Sequence, residues 1–209
     1  MTFVIAVDGP AGSGKSSVSK AAALELGFGY LDTGAGYRAF TYHASQLDGV
    51  ELSDLIESFD YEITLDPKEQ HVYLGGEEIT DVIRQKEVAS QVSTWAKLSE
   101  VRKLQLEDAR SRVQNSGLNG VVVEGRDITT VVFPDAQLRV LLTASEEIRL
   151  KRRGLENTES GENLKARDAS DSQVVDFFNP AEGVVLIDTS DLSFDQSVKA
   201  LTDLYRRVS

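Results

Sequence analysis

The sequence predicts an α/β fold, with a central parallel sheet flanked by helices and an antiparallel hairpin region inserted into it. Three observations carry this. The chain opens with the apolar run FVIAVD, a glycine-rich turn, and a segment from about 15 to 26 whose Ala, Leu and Val positions recur at helical spacing. The later runs VVVEG and QLRVLLTA are apolar without alternation, the pattern of strands buried on both faces of a parallel sheet. From about 59 to 83 the character changes to short β-like runs, YEITL and HVYLG, around the charged turn DPKEQ.

After the first helix, LGFGYLDTG reads as a second short strand ending at Asp32, and a helix is expected from about 35 to 47. The acidic segment ELSDLIESFD reads as a solvated helix face. Beyond the hairpin, a helical stretch from about 87 to 113, in two pieces, leads through Gly-Leu-Asn-Gly into VVVEG. SEEIRLKRR follows the strand QLRVLLTA as a helix, with Ser145 as N-cap and Glu146 and Glu147 near its positive end. GLENTESGEN is polar and reads as an exposed loop; a helix from about 164 to 178, the strand GVVLID and an amphipathic helix from about 194 to 208 complete the chain. Strands alternating with helices imply parallel pairing with helices on both faces.

Composition bounds the function. At 209 residues the chain fits one domain. The absence of cysteine excludes disulfides, thiolate nucleophiles and cysteine-based zinc sites, and His43 and His71 do not sit at metal-ligand spacing. A formal charge of -12 argues against sequence-independent nucleic-acid binding, which needs a broad basic surface. No run approaches the roughly 20 apolar residues that cross a bilayer. The opening segment lacks a basic leader and reads as a buried strand, so a cytoplasmic protein is expected, with no membrane partner and as a monomer.

The spacing Gly9-x4-Gly14-Lys15-Ser16, after a strand and before a helix, is a P-loop. Such a turn points backbone N–H groups inward while the following helix offers its positive end, a combination that selects a polyphosphate. ATP is therefore expected on Gly9, Pro10, Ala11, Gly12, Ser13, Gly14, Lys15, Ser16 and Ser17, with Lys15 neutralising β- and γ-phosphate charge and the Ser16 hydroxyl on a magnesium ion. No NKxD or DxxG segment suggests a GTPase. Further polar clusters fall at strand ends or in the later helix: Asp32 to Arg38, Glu124 to Asp127, and Arg167 to Ser172. Arginines converging near a P-loop suggest a second, phosphorylated substrate, because the guanidinium fork grips phosphate oxygens in pairs.

DGPAGSGKSSVSK, YLDTGAGYR, EGRDITTVVFPDA, LTASEEIRLKRR, RDASDS and NPAEGVVLIDTSDLS, in that order over nearly the whole chain, resemble the bacterial cytidylate kinases. The resemblance implies a P-loop nucleoside-monophosphate kinase fold with a core (about 1–58, 114–150 and 180–209), a monophosphate-binding insertion (about 59–113) and a short lid (about 151–179). It implies transfer of the γ-phosphoryl group of ATP to CMP or dCMP, with magnesium. Carried over by motif, Arg38 and Arg126 hold the monophosphate, with Thr33 and Tyr37 beside them. Ser93, Arg102 and Asp127 read the cytosine, and Arg167 with Asp171 contacts the ribose. Arg152 and Arg153 resemble lid arginines that act with Lys15 and Arg126 on the transferred group, and Asp32 supports the magnesium shell through water.

Plainer readings stand beside these. On three residues alone, Arg126-Asp127 is a strand-end ion pair, and either of Arg152 and Arg153 equally caps a helix C-terminus. Tyr37 reads also as a pocket wall, Ser93 as a surface serine, and Trp95 as packing. The chain departs from the family pattern at Val174, where an arginine is usual, in the shorter lid, at Thr129 in place of glycine, and at Gly36 in place of a bulky apolar residue. A glycine there costs roughly 1 kcal/mol relative to alanine and suggests a looser helix start. Two alternatives follow: a P-loop kinase for another monophosphate or metabolite, and a nucleotide-binding regulator with weakened transfer.

Overall fold

A computed structural model describes residues 2–155 and 179–209. The predicted 154–163 loop and 164–178 helix, with Arg167, Asp171 and Val174, lie outside the described residues, apart from the 154–155 backbone; the side chain of Arg153 does too. The central sheet holds five parallel strands, β1 (Phe3–Asp8), β2 (Gly29–Asp32), β6 (Gly120–Gly125), β7 (Leu138–Thr143) and β8 (Val185–Asp188), in the order β2-β6-β1-β7-β8. Around it run α1 (Lys15–Leu26), α2 (Thr33–Gln46), α3 (Leu52–Glu57), α6 (Ser99–Asn115), α7 (Glu146–Leu155) and α8 (Phe194–Val208).

The unbroken apolar runs have the cause expected of them. Along β1, Val4 and Ala6 face one core, shared with Ala35 and Ala39 of α2 and Val121 and Val123 of β6. Ile5 and Val7 face the other, shared with Val18 and Ala22 of α1 and Val198 and Leu201 of α8. Val4 to Val7 are thus buried whichever way they point. Gly120 lets the Phe28 ring lie across the start of β6, where a Cβ would come within 2.3 Å of it. Phe28 and Phe3 in turn pack edge-on against Tyr205, with centroids 5.1 Å apart in each pair. The last helix begins at a capping box between Ser193 and Gln196.

Three details differ from the sequence expectation. The hairpin of β3 (Tyr61–Ile63) and β4 (Val72–Leu74) gains a third strand, β5 (Glu77–Glu78), after the turn at Gly75 and Gly76, both at positive φ. The helical stretch after it comes in three pieces, α4 (Lys86–Ala89), α5 (Val92–Ala96) and α6, following a single 3-10 turn at Val82–Arg84. No Gly or Pro marks these breaks, so apolar periodicity runs through them. The helix after Asp32 starts at Thr33, because the Asp32 carboxylate accepts from the Ala35 N–H and caps it.

Candidate active site

The C-terminal ends of β1, β2 and β6 open on one side of the sheet, the side where ligands sit in open α/β folds. The loop after β1 is held tightly. Gly12 and Gly14 take positive φ, 76° and 88°, a conformation that side chains resist. A Cβ on Gly9 would lie 2.2 Å from the Leu142 carbonyl oxygen, and one on Gly12 would lie 2.9 Å from that of Arg149. Three arginines brace the loop from outside: Arg126 donates to the Gly9 carbonyl at 2.9 Å, Arg149 to that of Ala11 at 3.0 Å, and Arg152 to that of Ser13 at 3.1 Å. Arg152 also donates to the carbonyl and hydroxyl of Thr189, so the residue just after β8 helps to anchor it. With these carbonyls engaged, backbone N–H groups and the N-terminus of α1 are left for an anion.

Glu124, buried at the end of β6, organises the entrance to α1. Ser16 donates its hydroxyl to Glu124 Oε1 at 2.7 Å, Tyr30 donates to the same oxygen at 3.3 Å, and Lys15 Nζ lies 3.5 Å from Oε2. Thr33 donates to the Glu124 carbonyl at 2.8 Å. Burial first, then the charges of Glu124 and Asp32, keeps the Tyr30 phenol protonated well above its ordinary range. Ser17 is exposed one position further along α1.

On the other flank, Arg38 Nη2 bonds Asp32 Oδ2 at 2.6 Å. Burial works to raise the Asp32 carboxyl, but the charges of Arg38 and Lys15 and the bond from Arg38 outweigh it and hold it below its usual value. Arg102 of α6 reaches across to Asp127, also at 2.6 Å. Tyr37 is half-buried between them, its phenol pushed up to about 12 by burial and by the Asp127 charge. Ser93 lies half-buried on α5, and among the described residues no hydrogen bond joins it to Arg102 or Asp127. Trp95 packs on Phe40 at 5.5 Å, and His43 is buried with Nε2 near the Ser58 hydroxyl, so both are packing groups.

Asp8 fixes the turn that carries these side chains. Its buried carboxylate accepts from the N–H of Ile128 at 2.6 Å, the N–H of Thr129 at 2.9 Å and the Thr129 hydroxyl at 2.6 Å. Thr129, at the position where glycine is usual, thus adds a bond a glycine could not make. With those amides turned to Asp8, Ile128–Val132 winds as a short π-helical turn, closed by the Phe133 N–H on the Ile128 carbonyl.

Asp8 and Arg149 were not legible as site groups, and Glu124 stood in a polar strand-end cluster without a role of its own. Asp8 was legible only as the last residue of a strand, and Arg149 only as one of several cations in a helix. Glu124 could have been found as the acidic residue ending the strand that pairs with the P-loop strand. It, rather than Asp32, stands against the Ser16 hydroxyl, while Asp32 is committed to Arg38 and the α2 cap.

The cytidylate kinase family model matches residues 5–207. A cytidylate kinase of Exiguobacterium sibiricum is 41% identical, with 96% of this chain and 95% of that protein covered. One from Cutibacterium acnes is 39% identical over 97% of this chain and 95% of its own length. Among solved structures, a gluconokinase from Sinorhizobium meliloti superposes with a TM-score of 0.54 at 15% identity, covering 99% of this chain and 93% of that one. A shikimate kinase from Bacteroides thetaiotaomicron does so at 0.50 and 13%, covering 98% of each. At those identities the two share the fold alone, whereas the sequence relatives and the family match settle descent: this chain belongs to the cytidylate kinase family.

Proposed function

We propose that the chain transfers the γ-phosphoryl group of ATP to CMP or dCMP, giving ADP and CDP or dCDP. One observation carries the assignment beyond the family match: the turn from Glu124 to Asp127 touches both halves of the site. Glu124 meets Ser16 and Lys15 of the P-loop helix, Arg126 meets the Gly9 carbonyl, and Asp127 meets Arg102. A donor triphosphate and an acceptor are thereby referred to one rigid segment, which is what a reaction governed by positioning requires.

In this mechanism Lys15 neutralises charge on the β- and γ-phosphates. Arg38 and Arg126 exchange their present partners, Asp32 and the Gly9 carbonyl, for the oxygens of the monophosphate. An oxygen of that monophosphate attacks the γ-phosphorus directly and ADP leaves, so no protein nucleophile is needed. Asp127 accepts from the cytosine amino group, Arg102 donates to the acceptor edge of the ring, and Ser93 adds a hydroxyl to the same edge. Arg152, Arg153, Arg167 and Asp171 belong to the 151–179 lid and its ribose contacts, while 59–113 forms the acceptor-side insertion on the core.

The donor set fits magnesium. It offers hard oxygens only, and Glu124 Oε2 is buried without a hydrogen-bond donor among the described residues, although Lys15 stands near it. Ser16 and Glu124 would hold the ion, and Asp32 would support it through water. When bound, the ion draws charge from the β- and γ-phosphate oxygens. The reaction belongs to a cytoplasmic monomer in this reading, in keeping with a cysteine-free chain whose described helices are none of them long and apolar enough to cross a membrane. CDP appearing from CMP and Mg-ATP, and not from either alone, tests the assignment. Its absence overturns it.

A further inference from the structure

Helices α2 and α6 meet at one contact that is polar. Gly36 is buried on α2, and the amide of Gln105 from α6 fills the space a side chain would take: a Cβ on Gly36 would lie 2.1 Å from Gln105 Oε1 and 3.1 Å from its Cδ. The edge of the Tyr61 ring closes the same space, 3.5 Å from that point. The helix start is therefore tightly packed at Gly36, not loose. Along the buried stripe of α6, Val101, Gln105, Ala109 and Val113, only Gln105 is polar. It is 6% exposed, and among the described residues its Nε2 has no hydrogen-bond partner.

A buried amide donor left without an acceptor destabilises a fold, and a leucine would fill the same stripe without that cost. Packing alone does not account for the residue. Its neighbours do. Gln105 follows Arg102 by one turn of α6, and Gly36 precedes Tyr37 and Arg38 on α2. Tyr37 lies in the field of Asp127 and Arg102, and Tyr61 in that of Asp108 and Arg112 first, then of Asp32 and Arg38. The Gly36–Gln105 contact thus links the helix that carries the phosphate-side arginine to the helix that carries the base-side arginine.

We propose that Gln105, seated against Gly36, is a positioning residue for the acceptor nucleotide: its amide sets the gap between Arg38 and Arg102, and its N–H gains a partner when the nucleotide binds. This rests on the CMP assignment above. Glycine at 36 leaves the space that the amide occupies, and a Cβ there would displace the amide from its seat between α2 and α6.

Two substitutions test the pair. Gly36→Ala displaces the flexible end of Gln105 without removing it, and it improves helix propensity, so Tm should hold or rise. Gln105→Leu removes the amide but keeps an apolar filler. Each should raise KM for CMP by roughly fivefold while KM for ATP stays within about twofold, and each should shrink the Tm gain that CMP confers. The double variant should go no further, because both changes act through one contact. A merely structural role would instead move Tm and leave the CMP-against-ATP split untouched. Unchanged KM for CMP in both single variants, or equal rises for CMP and ATP, overturns the proposal. If the unmodified protein forms no CDP, the CMP assignment itself falls; if it does and the variants match it, only the role of Gln105 falls.

Discussion

Glu124 and Asp32 divide the work of the two carboxylates at the sheet edge. Glu124 takes the Ser16 hydroxyl at 2.7 Å and stands 3.5 Å from Lys15, so in the proposed mechanism it would hold magnesium together with Ser16. Glu124→Gln should therefore raise the magnesium concentration for half-maximal turnover by roughly tenfold to a hundredfold, the usual effect of losing a group that positions a metal ligand. A magnesium titration of initial rate reads this, and removal of magnesium by a chelator should stop turnover in the unmodified protein. Asp32 serves stability as well. Its folded pKa is lowered, so its contribution is complete above the ordinary aspartate value of 3.8 and is lost as pH falls through the lower folded value. Asp32→Asn keeps the helix cap but leaves Arg38 without its counter-charge, at a cost of up to about 3 kcal/mol. Urea midpoints should differ most near neutral pH and converge below 3.8. A difference that grows with acidification would contradict this origin.

At the scale of elements, the P-loop is the feature most legible in sequence, since Gly12, Gly14, Lys15 and Ser16 are each demanded by local geometry. What braces it was not legible. Arg149 and Arg152 stand one turn apart on α7, more than a hundred residues from the carbonyls of Ala11 and Ser13 that they bind. Spacing within α7 showed a helix face, but only tertiary packing shows which face meets the loop. Arg149→Met keeps the apolar stem and leaves the Ala11 carbonyl without this donor. A lost charge-assisted bond should raise KM for ATP by roughly tenfold, with KM for CMP little changed. Steady-state kinetics with each substrate varied in turn checks this. Of the two breaks that part α4, α5 and α6 the sequence suggested one; the other, and the π-helical turn at Ile128–Val132, were not legible. Continuous apolar periodicity hides that other break, and the turn depends on amides captured by the distant Asp8.

For the whole molecule, the alternation of strands and helices was enough to give the parallel sheet, and both of its faces are covered as the unbroken apolar runs required. The acceptor side was legible only through the ordered motif set, because no local rule ties Arg102 on α6 to Asp127 after β6. In the proposed function those two residues decide specificity, as a site built to pair with the polar edge of one base rejects a base that leaves its groups unpaired. The sharpest measurement is ADP release from Mg-ATP with CMP, dCMP, UMP, AMP and dTMP as acceptors, compared by kcat/KM. CMP and dCMP should exceed every other acceptor by at least roughly tenfold, the discrimination expected of one unpaired buried polar group. A preference for AMP or dTMP, or no release above that of ATP alone with CMP and dCMP, would contradict the assignment.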